Sequence, residues 1–501
     1  MKGFALVALL LVACKERPLP PVPPDLGAPR VGGLGVYHRP ITCPDGGDFD
    51  DGLRLYYAFD VEAAATSFKR AASSPCAIAE WGLALSLGPN VNTPQLPERR
   101  AEAHAAMERA LAIPTSSPVE RALVEALAVR YEGTDVAASD LAYAGRMRAL
   151  RKQFVDDSDV QALAAESLLD LHPFAQWTPD GKPAEDTVEL VGLLEAARAR
   201  DRAHPGLTHY YIHAMESSPT PERALEAARS IGTLMPSQGH LVHMPSHIFL
   251  RTGLYQEAAD WNRRAIAVSE AAPHGPLYEM YVLHNHHFLW MALLWLDRES
   301  EALREAELLS AHATPAMVRS MPGMEALLTL PALTRARFAD WQGLLELPIL
   351  PASQPYAHAV QAALRVVAEA RLGLQGRAHL DELERFVGTI PKDRSMGAND
   401  AREVLGIAVD EARAEVDFVT KGRGEAGLAA LRRAVVAEDA LRYDEPPSWP
   451  VPARELLGPR LVEAKHLDEA RAVFEADLAR HPNNRWAAKG LISVASHAPK
   501  H

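Results

Sequence analysis

The chain has 501 residues, a length that suits two or three domains or one array of repeats rather than a single compact core. Hydrophobic residues make up 48% of it, which is enough for a folded interior and excludes wholesale disorder. The formal net charge is −13 and no basic stripe occurs. A nucleic-acid partner is therefore not expected, because an acidic surface repels phosphate backbones.

The N-terminus is typical of an exported protein. Lys2 supplies a short positive region, and the apolar run that follows it to Ala13 is too short to cross a bilayer but suits a signal peptide. The run ends in Leu11-Val12-Ala13-Cys14, which resembles the bacterial lipobox, where the cysteine thiol takes the lipid. An ordinary secretory signal with a chance cysteine is the alternative interpretation.

We therefore expect residues 1–14 to be a lipoprotein signal peptide that ends at a lipidated Cys14, and the proline-rich residues 15–35 to be a tether. The mature protein would be held to a bacterial envelope membrane by acyl chains and would face the periplasm or the cell exterior. No later stretch reaches about 18 uninterrupted apolar residues, so no membrane-spanning helix is predicted.

Two cysteines remain if Cys14 is lipidated. Cys43 and Cys76 would then lie in an oxidising compartment, where a disulfide would staple the N-terminal extension onto the first helix pair. Two buried, unreactive thiols are the alternative, and the sequence leaves both open because the approach of the two Cα atoms cannot be read from it.

Helical patterning starts at about residue 50 and recurs to the end of the chain. Three helix–turn–helix units carry small and aromatic residues at the spacing of a tetratricopeptide repeat, in which one helix pair cannot bury its apolar face alone. The marking residues are Gly52, Ala64, Phe68 and Ala71, then Gly253, Tyr255, Ala258 and Ala265, then Gly458, Leu461, Ala470, Phe474 and Pro482. Weaker units are predicted near 120–153, 278–311, 356–386 and 402–436.

No alternating stretch indicates a strand. The predicted fold is all-α, an α-solenoid of degenerate TPR-like helix–turn–helix pairs, with one helical region over residues 36–300, a second over 301–490 and a tail over 491–501. Asp156-Asp157-Ser158-Asp159 begins like a calcium loop, but it lacks the glycine and the final glutamate of an EF-hand. We interpret it as a helix N-terminus, which attracts carboxylates.

Several motifs resemble a family of bacterial tetratricopeptide-repeat proteins over residues 35 to 490. They are Tyr37-His38-Arg39-Pro40-Ile41-Thr42, Trp81-Gly82, Gly88-Pro89-Asn90-Val91-Asn92, His204-Pro205-Gly206, His209-Tyr210-Tyr211-Ile212-His213, Gly239-His240-Leu241-Val242-His243-Met244-Pro245-Ser246-His247, His284-Asn285-His286-His287-Phe288-Leu289, Glu438-Asp439 and Tyr443-Asp444-Glu445-Pro446-Pro447. The resemblance implies an α-solenoid with an ordered pocket and brings no established reaction with it. The lipid anchor is not a general feature of the family.

Histidines are concentrated in the middle of the chain, with 10 of the 20 between His204 and His287. His209 and His213 are four residues apart, which places both rings on one face of a helix. His243 and His247 are also four apart, but Pro245 suits a first helical turn, so His243 should precede a helix that contains His247.

Imidazole is a common ligand of zinc, copper and iron, and the sequence predicts a metal site built from some of these histidines. The candidate ligands are His209, His213, His243, His247, His284 and His287. Glu216 is expected to orient His213, and Arg251 and Asn285 are the other candidate polar residues of the pocket. A buried hydrogen-bond network of core histidines is the alternative, as are unrelated surface histidines.

The predicted function is a lipid-anchored repeat scaffold that binds a protein or peptide partner in its concave face. The alternative is a metal-binding protein or metal-dependent enzyme centred on the histidines of residues 209–287. HExxH, CxxCH and GxSxG motifs are all missing from the sequence, so whether the protein is an enzyme stays open.

Overall fold

A computed structural model describes residues 32–44, 46–271, 276–374 and 376–497, and these ranges are almost entirely helical. The α-helices are α1 (Gly46–Tyr57), α2 (Val61–Ala71), α3 (Ala77–Ser86), α4 (Pro97–Ala112), α5 (Pro118–Tyr131), α6 (Val136–Gln153), α7 (Ser158–Leu169), α8 (Thr187–Arg200), α9 (Pro205–Met215), α10 (Leu225–Leu234), α11 (Gly239–His243), α12 (Pro245–Arg251), α13 (Tyr255–Glu270), α14 (Pro276–Trp295), α15 (Glu299–His312), α16 (Pro315–Ser320), α17 (Leu330–Arg337), α18 (Trp341–Glu346), α19 (Pro355–Arg371), α20 (Arg377–Thr389), α21 (Ala401–Val419), α22 (Gly424–Asp439), α23 (Arg454–Glu463), α24 (Leu467–Arg480) and α25 (Arg485–His497). Two 3-10 helices cover Pro221–Ala224 and Pro322–Thr329.

The predicted signal peptide, Cys14 and nearly all of the predicted tether lie outside the described residues. Within the described ranges, no helix combines the length and the apolar character needed to cross a bilayer.

The described chain divides into two compact units. The N-terminal unit takes in residues 32–248 and 261–282, and the C-terminal unit takes in 249–260 and 283–497. This division differs from the predicted boundary near residue 300. The helical region predicted to stop at 490 continues to the end of α25, because Ala487 and Val494 keep one apolar face buried along that helix.

Within each unit, helices pack mainly against the next helix along the chain, as in a repeat array. In the N-terminal unit, the fully buried ring of Phe68 on α2 fills the space beside Gly52 of α1 and Gly82 of α3. A Cβ at those glycines would lie 2.8 and 2.4 Å from that ring, so only glycine allows the three helices to approach this closely.

The C-terminal unit repeats this arrangement with other residues. Phe474 of α24 lies between Gly458 of α23 and Gly490 of α25, and a Cβ at either glycine would lie 2.3 Å from its ring. The predicted all-α fold of TPR-like helix pairs is confirmed. Gly253 serves differently, because it supplies a positive φ of 74° in the turn between α12 and α13.

One feature of the C-terminal unit was not predicted. An antiparallel hairpin joins β1 (Ser395–Met396) to β2 (Asn399–Asp400), with Gly397 at a φ of 60° in its turn. Strands of two residues are too short to show an alternating pattern in sequence.

The N-terminal extension is attached covalently to the repeats. Cys43 and Cys76 form a disulfide with their Cα atoms 5.7 Å apart, and Cys76 is the residue that precedes α3. Of the two alternatives left open by the sequence, the structure contains the disulfide.

Candidate metal site

Helix α9 carries the first two candidate ligands. His204 caps its N-terminus by accepting a hydrogen bond at Nδ1 from the backbone of Leu207 (3.2 Å), and Pro205 occupies the first turn, where its missing N–H costs nothing. Every residue of α9 is buried, so His209 and His213 project into the interior of the unit, one turn apart.

Three imidazole nitrogens meet in this interior. Nε2 of His209 lies 3.1 Å from Nε2 of His213 and 3.1 Å from Nε2 of His240, and all three nitrogens lie within 4.8 Å of one another. The exposed fractions of the three residues are 0%, 2% and 7%. We call these three residues the histidine trio.

Hydrogen bonds fix the protonation of two of these rings. Nδ1 of His209 lies 2.8 Å from the carbonyl oxygen of Tyr57, and Nδ1 of His213 lies 3.0 Å from Oε1 of Glu216. Both oxygens can only accept a hydrogen bond, so each Nδ1 carries the ring hydrogen. In the neutral ring Nε2 then carries a lone pair. Two lone pairs that face each other across 3.1 Å repel each other, and a proton or a metal ion between them would remove this repulsion.

A second pair of rings lies in the same interior. Nδ1 of His243 lies 2.7 Å from Oδ1 of Asn262, whose amide orientation is fixed because its nitrogen donates to Oγ of Ser246 (2.8 Å). Nδ1 of His247 lies 2.9 Å from Oε2 of Glu216. The two Nε2 atoms are 2.8 Å apart, and we call these two residues the histidine pair.

A helix boundary at Pro245 lies within this pair. Helix α11 ends at His243 and α12 begins at Pro245, so His243 precedes the helix that contains His247, as predicted. A continuous helix would also place the rings one turn apart, but Pro245 at that point cannot donate the backbone hydrogen bond that a continuous helix needs.

Burial decides between a proton and a metal ion in the trio. Burial lowers the pKa of His209 well below its usual value, and the neighbouring His213 lowers it further. Burial likewise lowers the pKa of His240, with His209 as the next cause. Neutral rings are therefore favoured at neutral pH, and the neutral imidazole is the form that binds a metal ion.

The nitrogen spacing also fits a metal ion. With metal–nitrogen bonds of about 2.0–2.1 Å, two nitrogens on one ion lie about 2.9 Å apart at a right angle and about 3.4 Å apart at the tetrahedral angle. The 3.1 Å separations in the trio fall between these limits.

His240 was not among the predicted ligands. Its signal in the sequence is the three-residue spacing to His243, which the proline two residues further on obscured. The ring packs between Phe59 and Tyr281, with centroids 5.7 and 4.6 Å away. Its buried Nδ1 has no hydrogen-bond partner among the described residues, so no second group sets its tautomer.

The remaining predicted site residues belong to the C-terminal unit. Burial lowers the pKa of His287 to about 3, and the ring of His284 packs 4.7 Å from that of Phe288. Asn285 is fully buried, and neither polar atom of its side chain has a hydrogen-bond partner among the described residues. The guanidinium of Arg251 lies 5.6 Å from the ring centre of Tyr443.

Asp159 is the centre of a buried network next to the trio. The hydroxyls of Tyr37 and Tyr57 each donate to its Oδ1 at 2.6 Å, and Arg39 binds its Oδ2. Burial alone would raise the pKa of Asp159, but Arg39 and the hydrogen bonds from His204 and Tyr37 outweigh it and hold that pKa well below its usual value.

This network holds the trio in place. The hydroxyl of Tyr57 donates to Asp159, and its carbonyl oxygen accepts from Nδ1 of His209. The network and the histidine ring therefore share Tyr57 as a partner. Asp157 caps α7 by accepting from the backbone of Val160 (3.0 Å), which confirms a helix N-terminus at Asp156–Asp159. The role of Asp159 was missed, because its partners lie up to 122 residues away in the sequence.

No protein-family model and no curated protein matches the chain. Among solved structures, a human IFIT1 dimer with m7Gppp-AAAA is similar with a TM-score of 0.36 and 12% identity, over 89% of this chain and 88% of that chain. A human IFIT1 dimer with PPP-AAAA gives 0.36 and 12%, over 90% and 89%. Naa15/Naa10 bound to HypK-THB gives 0.22 and 12%, over 85% and 62%. Similarity this low carries no argument about function, and the groups bound in those structures belong to those proteins.

Proposed function

We propose that this chain is a lipid-anchored repeat protein of the bacterial cell envelope that binds a transition-metal ion in its N-terminal unit. The ligands are Nε2 atoms of His209, His213 and His240. One observation carries the proposal: the Nε2 atoms of His209 and His213 lie 3.1 Å apart while both Nδ1 atoms donate to oxygen. A cation between the two lone pairs turns this repulsive contact into two coordinate bonds.

The ligand chemistry narrows the choice of metal. Three neutral imidazoles without thiolate suit zinc, copper or iron, and they leave at least one coordination position for water or another group. A nucleophile beside the trio is not evident among the described residues, so the proposal is metal binding and not a particular reaction.

The anchor is supported by the sequence Leu11-Val12-Ala13-Cys14, and the disulfide suits an oxidising compartment. Cys14→Ser should abolish labelling by a radioactive fatty acid in cells and leave uncleaved or soluble protein. Acyl labelling that persists in this variant would reject the anchor at Cys14.

The metal proposal is tested on the full chain, purified in detergent without a histidine tag. Elemental analysis should find at least about one metal ion per protein chain. The His209→Asn variant should lose the ion bound by the trio. Asparagine is the sharp substitution, because its amide nitrogen can still donate to the Tyr57 carbonyl where Nδ1 did, whereas nothing replaces Nε2.

The matched control is His104→Asn, which changes an exposed histidine of α4 and should retain all the metal. Metal-free wild-type protein whose melting temperature does not change when zinc or copper is added would reject the proposal.

The repeat fold supports a second candidate, a scaffold for a protein or peptide partner, since stacked helix pairs present extended binding surfaces. The net charge of −13 favours a partner other than nucleic acid. Crosslinking in cells should capture one specific protein on the full chain. Recovery of the uncrosslinked monomer at every crosslinker length would count against this candidate.

A further inference from the structure

The histidine pair has the same features as the trio but is not part of it. His243 and His247 present their Nε2 atoms to each other, 2.8 Å apart, and neither residue is a member of the trio. We infer that the pair holds a second metal ion, so that the N-terminal unit contains two neighbouring metal positions. This inference rests on the proposed metal-binding function.

The spacing of the pair fits two ligands of one ion. Two nitrogens bound at right angles, with bonds of about 2.0 Å, lie about 2.8 Å apart. The Nε2 atoms of His243 and His247 are 2.8 Å apart. Right-angled ligands belong to an octahedral or square-planar ion, in which water supplies further positions.

The outer hydrogen bond of His243 is that of a metal ligand. A ligating histidine donates its other N–H to a carboxylate or carbonyl oxygen, which orients the ring and makes the free nitrogen a stronger ligand. For His243 this acceptor is the amide oxygen of Asn262, which Ser246 holds in orientation. For His247 the nearest carboxylate is that of Glu216, whose Oε2 lies 2.9 Å from Nδ1.

Glu216 connects the two positions. Its Oε1 lies 3.0 Å from Nδ1 of His213 in the trio, and its Oε2 lies 2.9 Å from Nδ1 of His247 in the pair. The carboxylate is 2% exposed, and a buried negative charge close to both positions lowers the electrostatic cost of holding two neighbouring cations. Glu216 is therefore a positioning residue for both ions.

The two sets are neighbours in the interior. The ring centres of His213 and His247 are 6.1 Å apart, and those of His240 and His243 are 6.4 Å apart. A proton shared between His243 and His247 is the competing account, and it predicts one bound ion in the N-terminal unit instead of two.

Metal stoichiometry decides between these accounts. The full chain is stripped with a chelator and titrated with zinc against a competing indicator. Wild type and His104→Asn should bind the same number of equivalents. His243→Asn with His247→Asn should bind one fewer, and His209→Asn with His213→Asn should also bind one fewer.

The Glu216→Gln variant tests the positioning role of Glu216 while all five histidine ligands are kept. Glutamine removes the negative charge that lies 3.0 Å from Nδ1 of His213 and 2.9 Å from Nδ1 of His247, so zinc affinity should fall about 10- to 100-fold at both positions. Circular dichroism identifies any variant that fails to fold. The number of ions bound by wild type tests the inference even if a variant misfolds.

Each outcome separates the two proposals. A single equivalent in wild type that is lost in the trio variant and kept in the pair variant overturns the second ion and leaves the proposed function standing. Equal stoichiometry in wild type and the pair variant also overturns it. Wild type that binds neither zinc nor copper(II), titrated in the same way, rejects both.

Discussion

The α1–α3 repeat and the histidine helices of the N-terminal unit solve the same packing problem with opposite chemistry. In the repeat, the Phe68 ring fills the space beside two glycines and is stabilised by burial of apolar surface. In α9, α11 and α12, five buried imidazoles fill the interior, and each must have partners for its nitrogens. The repeat stabilises the fold, whereas a polar interior of this kind is costly and points to a function.

The largest expected effect is in the apolar repeat. Phe68→Ala should destabilise the N-terminal unit by about 3–5 kcal/mol, because it removes a fully buried ring. Its neighbours Gly52 and Gly82 have no side chains that could fill the cavity. Chemical denaturation measures this. Leu141→Ala, at a side chain that is 59% exposed, is the control and should change stability by less than about 0.5 kcal/mol. Equal effects of the two substitutions would show that Phe68 does not hold the repeat together.

The disulfide should come next. Cys43→Ser with Cys76→Ser opens a loop with a sequence separation of 33 and should cost about 4 kcal/mol or less, since the crosslink restricts the unfolded chain. Thermal unfolding measures the change. Wild type treated with a reductant should match the variant. A variant as stable as oxidised wild type would show that the extension is held by its other contacts, including Arg39 to Asp159.

A smaller effect should distinguish the histidine helices. Zinc at a concentration 100 times its dissociation constant should stabilise wild type by about 2.7 kcal/mol for each site. In His209→Asn the stabilisation by zinc should fall by the contribution of the trio. In Phe68→Ala the stabilisation by zinc should equal that of wild type. Differential scanning calorimetry with and without zinc makes the comparison. If Phe68→Ala and His209→Asn reduce the stabilisation by zinc equally, then zinc binding depends on the apolar repeat as much as on the histidines.

The smallest effect is a pH dependence of the metal-free protein. Burial lowers the pKa of His209 and His240 below 6.5, so below about pH 6.5 the unfolded chain binds protons that the folded chain does not. Stability should therefore fall as the pH is lowered from 7 towards 6, by up to about 1.4 kcal/mol for the two histidines together. His209→Asn with His240→Asn should flatten this slope. A slope that is unchanged in this double variant would mean that other groups cause it.

Much of the fold could be predicted from local patterns. Phe68 and Phe474 recur with their glycines at repeat spacing, and both occupy the predicted packing positions. The four-residue spacing of His209 and His213 was enough to place both rings on one helical face. The break at Pro245 was also predicted, because proline limits the backbone in a known way.

The rest of the candidate site depends on contacts that local patterns do not contain. His240 joins the trio, and Asn262 orients His243, through the packing of different helices. Glu216 was predicted to orient His213, but its second oxygen reaches His247, which is 31 positions further along the chain.

By itself the sequence determined the helical periodicity, the glycine and phenylalanine positions of the repeats and the histidine spacings, because each depends on neighbours within a few turns of one helix. Only the tertiary structure decided which imidazole nitrogens face each other and which oxygens hold their opposite sides. The physical reason is that hydrogen bonds act over about 3 Å, and only the packing of separate helices brings Tyr57 and Asn262 that close to their histidines.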